Sequence, residues 1–224
     1  MAALQLTLAP GWKTYWRAPG DAGIPPVFDW AGSQNLSGVQ LHWPRPSVFE
    51  TSGMQTIGYH DALILPFEVA VADPAAPVQV ALQVDLGVCL DVCVPASLTV
   101  TAQLPPKGAH DPAIQQALDD QPDPAASAGL SAVSCEVMPI DDGLRVTARM
   151  AMPRLGDLET VVLESGQSGV WVSEAATVRS GDQLIATVDM VAAQGEPFVL
   201  ERDRVIVTIL AGNQAVQTLG CPAG

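Results

Sequence analysis

Hydrophobic and polar positions alternate with a period of two through much of the chain. Leu4, Leu6 and Leu8 are separated by polar or small residues, the pattern of a half-buried strand. Val80, Leu82, Val84 and Leu86 repeat it inside a candidate strand over 78–88. Residues 35–43 and 97–104 are further candidates. Residues 62–72 carry Pro66, which predicts an edge strand or a bulge there. Proline and glycine punctuate these runs at Ala18-Pro-Gly-Asp, Ile24-Pro-Pro and Trp43-Pro-Arg-Pro. Short strands, such turns and almost no helical period predict a β-sandwich over residues 1–104.

Residues 105–130 read differently. Pro105-Pro106-Lys107-Gly108 opens a linker, and Asp111-Pro112 has the form of a helix N-cap with proline at the first helical position. A short helix over 113–120 follows, then Pro122, Pro124 and an Ala/Ser stretch. Strands resume over 131–224. The candidates are 131–139, 144–150, 159–164, 170–172, 184–191, 198–200, 205–210 and 215–219. Asp141-Asp-Gly and Gly212-Asn are turn signals. The prediction is an all-β protein of two β-sandwich domains joined by a linker with a short helix.

Composition narrows the function classes. The 224 residues are 48% hydrophobic and 15% charged, which argues against disorder. The formal net charge is −14, so a phosphate backbone would be repelled and a nucleic-acid partner is excluded as a working idea. The few basic residues are scattered, which argues against an anionic membrane surface. No apolar run is long enough to insert in a membrane. Both halves are similarly acidic, so charge does not distinguish them. Met1 leads into an alternating strand pattern rather than the apolar core of a signal peptide. The expectation is a trimmed N-terminus that starts within a first strand. No phosphate-binding glycine loop, nucleophile elbow or His-Glu-x-x-His is present, and no cofactor or metal is expected.

Four cysteines remain. Cys89 and Cys93 stand in Gly87-Val-Cys-Leu-Asp-Val-Cys-Val-Pro95, between two strand candidates. Four residues of extended chain cover about 13 Å, whereas bridged Cα atoms lie within about 7 Å. A bridge therefore requires a tight hairpin with the sulfurs facing across its neck. A loop this short gains only about 2 kcal/mol as a staple, and accessible, strained disulfides are the labile ones. Redox chemistry, a plain staple and two buried thiols all remain open on spacing alone. Cys135 lies in the first strand of the second half and Cys221 follows its last. A bridge between them reads as structural, with two free thiols as the alternative.

Several motifs occur together in one order: Gly11-Trp-Lys-Thr-Tyr-Trp-Arg-Ala-Pro-Gly-Asp-Ala-Gly-Ile-Pro-Pro26, Phe28-Asp-Trp30, Trp43-Pro-Arg-Pro46, Gly58-Tyr-His-Asp61 and the Cys89/Cys93 hairpin. Together they resemble the N-terminal periplasmic domain of the DsbD family of thiol:disulfide interchange proteins. The likeness is greater to its ScsB-like branch, associated with copper tolerance, and to short proteobacterial relatives. The second half resembles the additional β domain of that branch. The resemblance implies an immunoglobulin-like first domain with a reversible dithiol and a periplasmic location, the signal peptide having been removed. It implies that Cys93 attacks a partner and Cys89 resolves the mixed disulfide. The implied partners are thioredoxin-fold periplasmic redox proteins and a membrane electron-transfer protein or domain. It also implies supporting roles near the sulfurs for Tyr59, His60 and Glu50. In the family a cap loop shields the pair with an aromatic residue. The matching stretch, Phe49 to Met54, has Phe49 or Met54 for that role.

The chain departs from the family pattern in three ways, the first being that the stretch Phe49 to Met54 has no aromatic residue in its middle. DsbD itself has a wider cysteine spacing. The family's membrane helices and its thioredoxin-like Cys-x-x-Cys domain are not in this sequence, so it reads as a fragment or a stand-alone relative. Asp91, between the cysteines, either disfavours the thiolate or serves as a turn residue. No Lys or Arg is near either cysteine in sequence, so activation of a thiol has to come from residues brought close by folding. The aromatic residues crowd into the first half, where they read as core, with a partner surface as the second reading of the Trp12–Arg17 run. Two alternatives to thiol exchange stand. One is a Cu(I) module using the cysteines with His42, His60 and Met54. The other is an interaction domain with permanent disulfides.

Overall fold

The computed structural model describes residues 1–224 except Asp21, Ser52, Gly53 and Gln194. The turn expected at 18–21 and the middle of the cap-loop stretch 49–54 thus lie partly outside the described residues. The chain divides into two compact units, Met1–Gln121 and Pro122–Gly224. The segment 105–130 is shared between them.

Among its described residues the first unit holds nine strands and one helix. In order they are β1 (Ala2–Thr7), β2 (Lys13–Tyr15), β3 (Val27–Asp29), β4 (Gly38–Leu41), β5 (Ser47–Thr51), β6 (Met54–His60), β7 (Ala62–Ala70), β8 (Val78–Cys89), β9 (Cys93–Leu104) and α1 (Pro112–Asp119). One sheet has the order β1-β7-β4. In the other, β8 carries β9 along one edge and both β3 and β2 along the other, and β2 continues to β6 and β5. All these pairings are antiparallel. The arrangement is an immunoglobulin-like sandwich, as expected. Val80, Leu82, Val84 and Leu86 of β8 meet Leu4 and Phe67 of the facing sheet in the core. The alternation that predicted β8 is therefore the alternation between core and outer face.

Pro66 corrects an expectation. It lies in β7, the middle strand of its sheet, and pairs with Ala3 of β1. The His42 amide donates to the Pro66 carbonyl at 2.8 Å, so the carbonyl and the missing amide both face the β4 side. Pro66 has no N–H to return the bond, and β4 ends at Leu41, one residue earlier. A proline in a central strand is tolerated here because its neighbour leaves at that point.

The short helix forms as its cap signal predicted. The Asp111 carboxylate accepts from the amides of Ala113 and Ile114 at 2.9 and 3.4 Å, and Pro112 opens the helix. Arg45 ties its end down, with Nη2 2.9 Å from the Asp120 carboxylate.

The second unit is also a sandwich. It contains β10 (Asp123–Pro124), β11 (Ala132–Ile140), β12 (Gly143–Ala151), β13 (Thr160–Glu164), β14 (Val170–Val172), β15 (Ala176–Ser180), β16 (Gln183–Ala192), β17 (Ile206–Ala211) and β18 (Gln214–Leu219). One sheet is β10-β18-β17-β13, the other β11-β12-β16-β14 with β15 also on β16. Met150, Met152, Leu184, Met190, Val205 and Ile209 are among the fully buried side chains between them.

Two expectations for this unit fail. Residues 198–200 form no strand: Phe198 and Leu200 do pack on the core and Val199 is 84% exposed, but the Val199 carbonyl and the Glu201 amide bond to the Gln167 side chain instead of to a neighbouring strand. The strand β15 was not foreseen because its pattern is inverted. Val178 faces solvent, whereas Arg179 points inward to a buried ion pair. Arg179 Nη2 lies 2.5 Å from Glu159 Oε1, with the two side chains 10% and 5% exposed. Arg179 also donates to the Met152 carbonyl, and Glu159 accepts from the Leu155 amide.

Candidate functional site

The long β8–β9 ladder ends in Cys89 opposite Cys93, with Leu90, Asp91 and Val92 as the connecting loop. The expected tight hairpin is present, and the two cysteines are bonded with Cα atoms 4.2 Å apart. Backbone parity explains why they meet. Thr14 Oγ1 donates to the Gly87 carbonyl at 2.9 Å, so that carbonyl points to β2 and away from β9. Gly87 and Pro95 are then a non-hydrogen-bonded pair. Cys89 and Cys93, two residues on, have the same parity. Such pairs bring side chains closest together, with Cα atoms about 4.5 Å apart. Pro95 costs the ladder nothing, because its nitrogen faces the outer edge.

The same parity places the sulfurs on the outer face of the sheet, opposite the core face that carries Leu86 and Val84. Cys89 is nonetheless only 1% exposed, while Cys93 is exposed. What covers Cys89 comes from β2. Lys13 pairs with both Cys89 and His60, and Tyr15 pairs with Gly58, so these side chains share the outer face. The Tyr15 ring lies across Gly87, where an added Cβ would come within 2.9 Å of it. Its hydroxyl thereby sits 2.8 Å from Cys89 Sγ and 2.9 Å from Cys93 Sγ. Gly87 is the close-approach glycine that admits the ring. Burial raises the Tyr15 phenol above its ordinary pKa, so it stays a proton donor at neutral pH.

The other expected site residues divide. His60 lies on the outer face with its ring edge-on to Phe49, centroids 4.3 Å apart. The Lys13 ammonium is 5.4 Å from the centroid of the same Phe49 ring, a cation–π contact on a lysine that is only 8% exposed. A buried positive charge thus stands on the face that carries the sulfurs. Met54 is 53% exposed at the start of β6. Glu50, next to Phe49, alternates to the other side of its strand and is exposed. Tyr59 also turns away, because it is one residue from His60. It is buried against Trp43, with its hydroxyl donating to the Pro44 carbonyl at 2.7 Å. Asp91 lies in the exposed loop between the cysteines.

The remaining parts of the quoted motifs now have physical reasons. Gly58 leaves no space for a side chain against the Thr14 carbonyl. Asp61 makes the corner from β6 into β7 with φ at 60°, and its carboxylate accepts from the Gly11 amide at 2.7 Å. Trp16 is completely buried, so the Trp12–Arg17 run serves the core and the sulfur site more than a surface. A cleft beside α1, lined by Pro44, Tyr59, Ile64 and Gln116 among others, includes neither cysteine nor Tyr15. Among the described residues no group of three or more His, Cys, Asp or Glu is placed to hold a metal.

Sequence reasoning missed Tyr15 and Lys13. They are more than seventy positions from the cysteines, on a three-residue strand too short to show a period. The available signal was Gly87, a glycine inside an otherwise regular strand.

Residues 1–105 match the family model described as thiol:disulfide interchange protein DsbD, N-terminal. Over that span the first unit resembles a DsbD N-terminal domain. The solved crystal structure of the N-terminal periplasmic domain of ScsB from Proteus mirabilis is similar to the chain at 25% identity and a TM-score of 0.70. That likeness covers 99% of this chain and 87% of the other, so it extends past the DsbD-type domain into the second unit. No curated protein matches the chain.

The second cysteine pair is built differently from the one in the DsbD-type domain. Cys135 and Cys221 are bonded with Cα atoms 5.3 Å apart, and both are at most 1% exposed. The Arg202 guanidinium donates to the Cys135 carbonyl at 2.6 Å, and the Cys135 amide donates to the Pro222 carbonyl.

Proposed function

We propose that the chain is a periplasmic thiol–disulfide exchange module that passes electrons to partner proteins through the Cys89–Cys93 pair. The observation that carries the reading is the asymmetry of the pair: Cys93 is exposed, Cys89 is buried, and one phenol reaches both sulfurs. In the reduced state the Cys93 thiolate attacks a partner disulfide. A mixed disulfide forms and the partner's other sulfur leaves as a thiolate. Cys89 then attacks Cys93 Sγ, closes the intramolecular disulfide and releases the reduced partner. Two electrons have moved from this chain to the partner.

Tyr15 donates its hydroxyl to whichever sulfur carries negative charge, which lowers the cost of forming the thiolate. Lys13 adds a positive charge on the same face. The fitting partners are thioredoxin-fold redox proteins, with a membrane electron-transfer protein or domain as the source of electrons. The DsbD family match and the periplasmic ScsB domain support both the chemistry and the compartment. Among the described residues no helix is long and apolar enough to cross a membrane.

The test is trapping. A reduced Cys89→Ser variant, mixed with an oxidised thioredoxin-fold protein, should accumulate a mixed disulfide through Cys93, seen by intact mass without reductant. Cys93→Ser should accumulate none. The opposite pattern would reverse the two roles.

A further inference from the structure

The edge strand β9 begins at the exposed cysteine and carries no charged residue from Cys93 to Leu104. Its inner side pairs with β8 along the whole length. Its outer side pairs with no strand among the described residues of the first unit. Long uncharged edges invite strand addition, and proteins usually guard them with lysine, bulges or proline. Here the one guard is Pro95, beside the disulfide.

The pairing parity sets which groups the edge offers. Because the Gly87–Pro95 pair is not hydrogen-bonded, Ser97, Thr99 and Thr101 direct their amides and carbonyls outward like Pro95. The apolar row of β9 is also left half covered. Ala96, Val100 and Leu104 pack on the core, whereas Val94 and Leu98 are 45% and 43% exposed. A further strand laid along the edge would take up the free backbone groups and cover both side chains.

We propose that β9 binds an extended, uncharged, β-branched-rich segment of the redox partner by strand addition, with the partner's cysteine opposite Cys93. The occupant is inferred from continuity: the free edge starts at the sulfur that reacts. A charged segment would meet no countercharge on this strand. The proposal rests on the reading of Cys89–Cys93 as an exchange pair. It adds that the partner presents an extended segment beside its reactive cysteine, recognised through main-chain bonds.

The experiment uses the full chain, reduced, and two oxidants. One is oxidised glutathione. The other is a peptide of alternating Val and Thr with a cysteine near its C-terminus, held as the mixed disulfide with glutathione. Cys93 attacks the peptide sulfur and glutathione leaves as its thiolate. Cys89 then closes on Cys93 and releases the peptide thiol. Thr99→Pro removes one outward donor without touching the β8 ladder, and Leu98→Lys removes apolar cover while keeping every backbone group. Thermal unfolding of both variants checks that they fold.

The expected result is a peptide rate at least about tenfold above the glutathione rate, the equivalent of one or two main-chain bonds. Both variants should lower the peptide rate towards the glutathione rate and leave the latter unchanged. Equal rates for the two oxidants, or variants that slow neither, would overturn the proposal while the exchange reading stands. No reaction of wild type with either oxidant would overturn the exchange reading itself. A wild-type dimer in sedimentation that Thr99→Pro dissolves would assign the edge to a second copy of the chain and overturn the proposal.

Discussion

Replacing Tyr15 by Phe removes one oxygen and leaves the ring that lies across Gly87. The lost hydroxyl is within 2.9 Å of both sulfurs. A hydrogen bond to a charged group is worth about 1.5–3 kcal/mol, and sulfur is a weak acceptor, so the lower end applies. About 1.5 kcal/mol corresponds to about one pKa unit. The Cys93 thiol of Tyr15→Phe should therefore titrate about one unit higher than in wild type. In a two-electron couple the same energy is about 30 mV. The sign follows from which state loses support. The reduced thiolate is destabilised, so the pair becomes harder to reduce and its potential more negative. The effect should be full above the thiol pKa and fade below it. Thiolate ultraviolet absorbance against pH, and the pH profile of alkylation at Cys93, read the shift. An unchanged profile in a folded Tyr15→Phe protein would refute the assignment of Tyr15 to the thiolate.

Three further outcomes follow from the packing. Replacing Cys135 and Cys221 together by Ala removes a buried bridge with a sequence separation of 86. Chain-entropy reasoning puts the loss at about 4–5 kcal/mol in urea unfolding, and a loss under about 1 kcal/mol would contradict it. Glu159→Gln leaves Arg179 buried without its carboxylate, with an expected cost of about 3–5 kcal/mol. The double change Glu159→Gln with Arg179→Met should recover part of it. Burial raises the phenols of Tyr15 and Tyr59 above the ordinary value of 10.0. Groups raised in the folded state contribute stability that is fully present below their unfolded pKa and lost as pH rises through the folded one. Unfolding measured against pH should show this loss only above about pH 10, and Tyr15→Phe should reduce it.

Much of the architecture was legible because a sandwich writes its two faces into the sequence. The alternation at Val80, Leu82, Val84 and Leu86 marked β8, and the Asp111-Pro112 cap marked the helix. Cysteine spacing marked the hairpin. Illegible parts have physical causes. The strand β15 presents Val178 to solvent and hides Arg179 in an ion pair, which inverts the usual pattern. Pro66 looked like an edge residue, yet it sits where β4 ends rather than at the rim of the sheet. At the site the gap is greatest for Tyr15. Its approach to the sulfurs depends on β2 lying between β6 and β8, a pairing that no local signal announces. Tyr59 shows the reverse failure. Its place in the Gly58–Asp61 motif suggested the sulfurs, but strand parity sends it to the other face.

The two disulfides have different work in this reading, and their reduction potentials tell them apart. The chain is equilibrated in graded glutathione or dithiothreitol buffers, and free thiols are assigned by mass to each pair. The expected Cys89–Cys93 potential lies in the range of thioredoxin-like carriers, clearly above that of Cys135–Cys221. A value below about −300 mV for both pairs would make the hairpin bridge a permanent staple and contradict the exchange function.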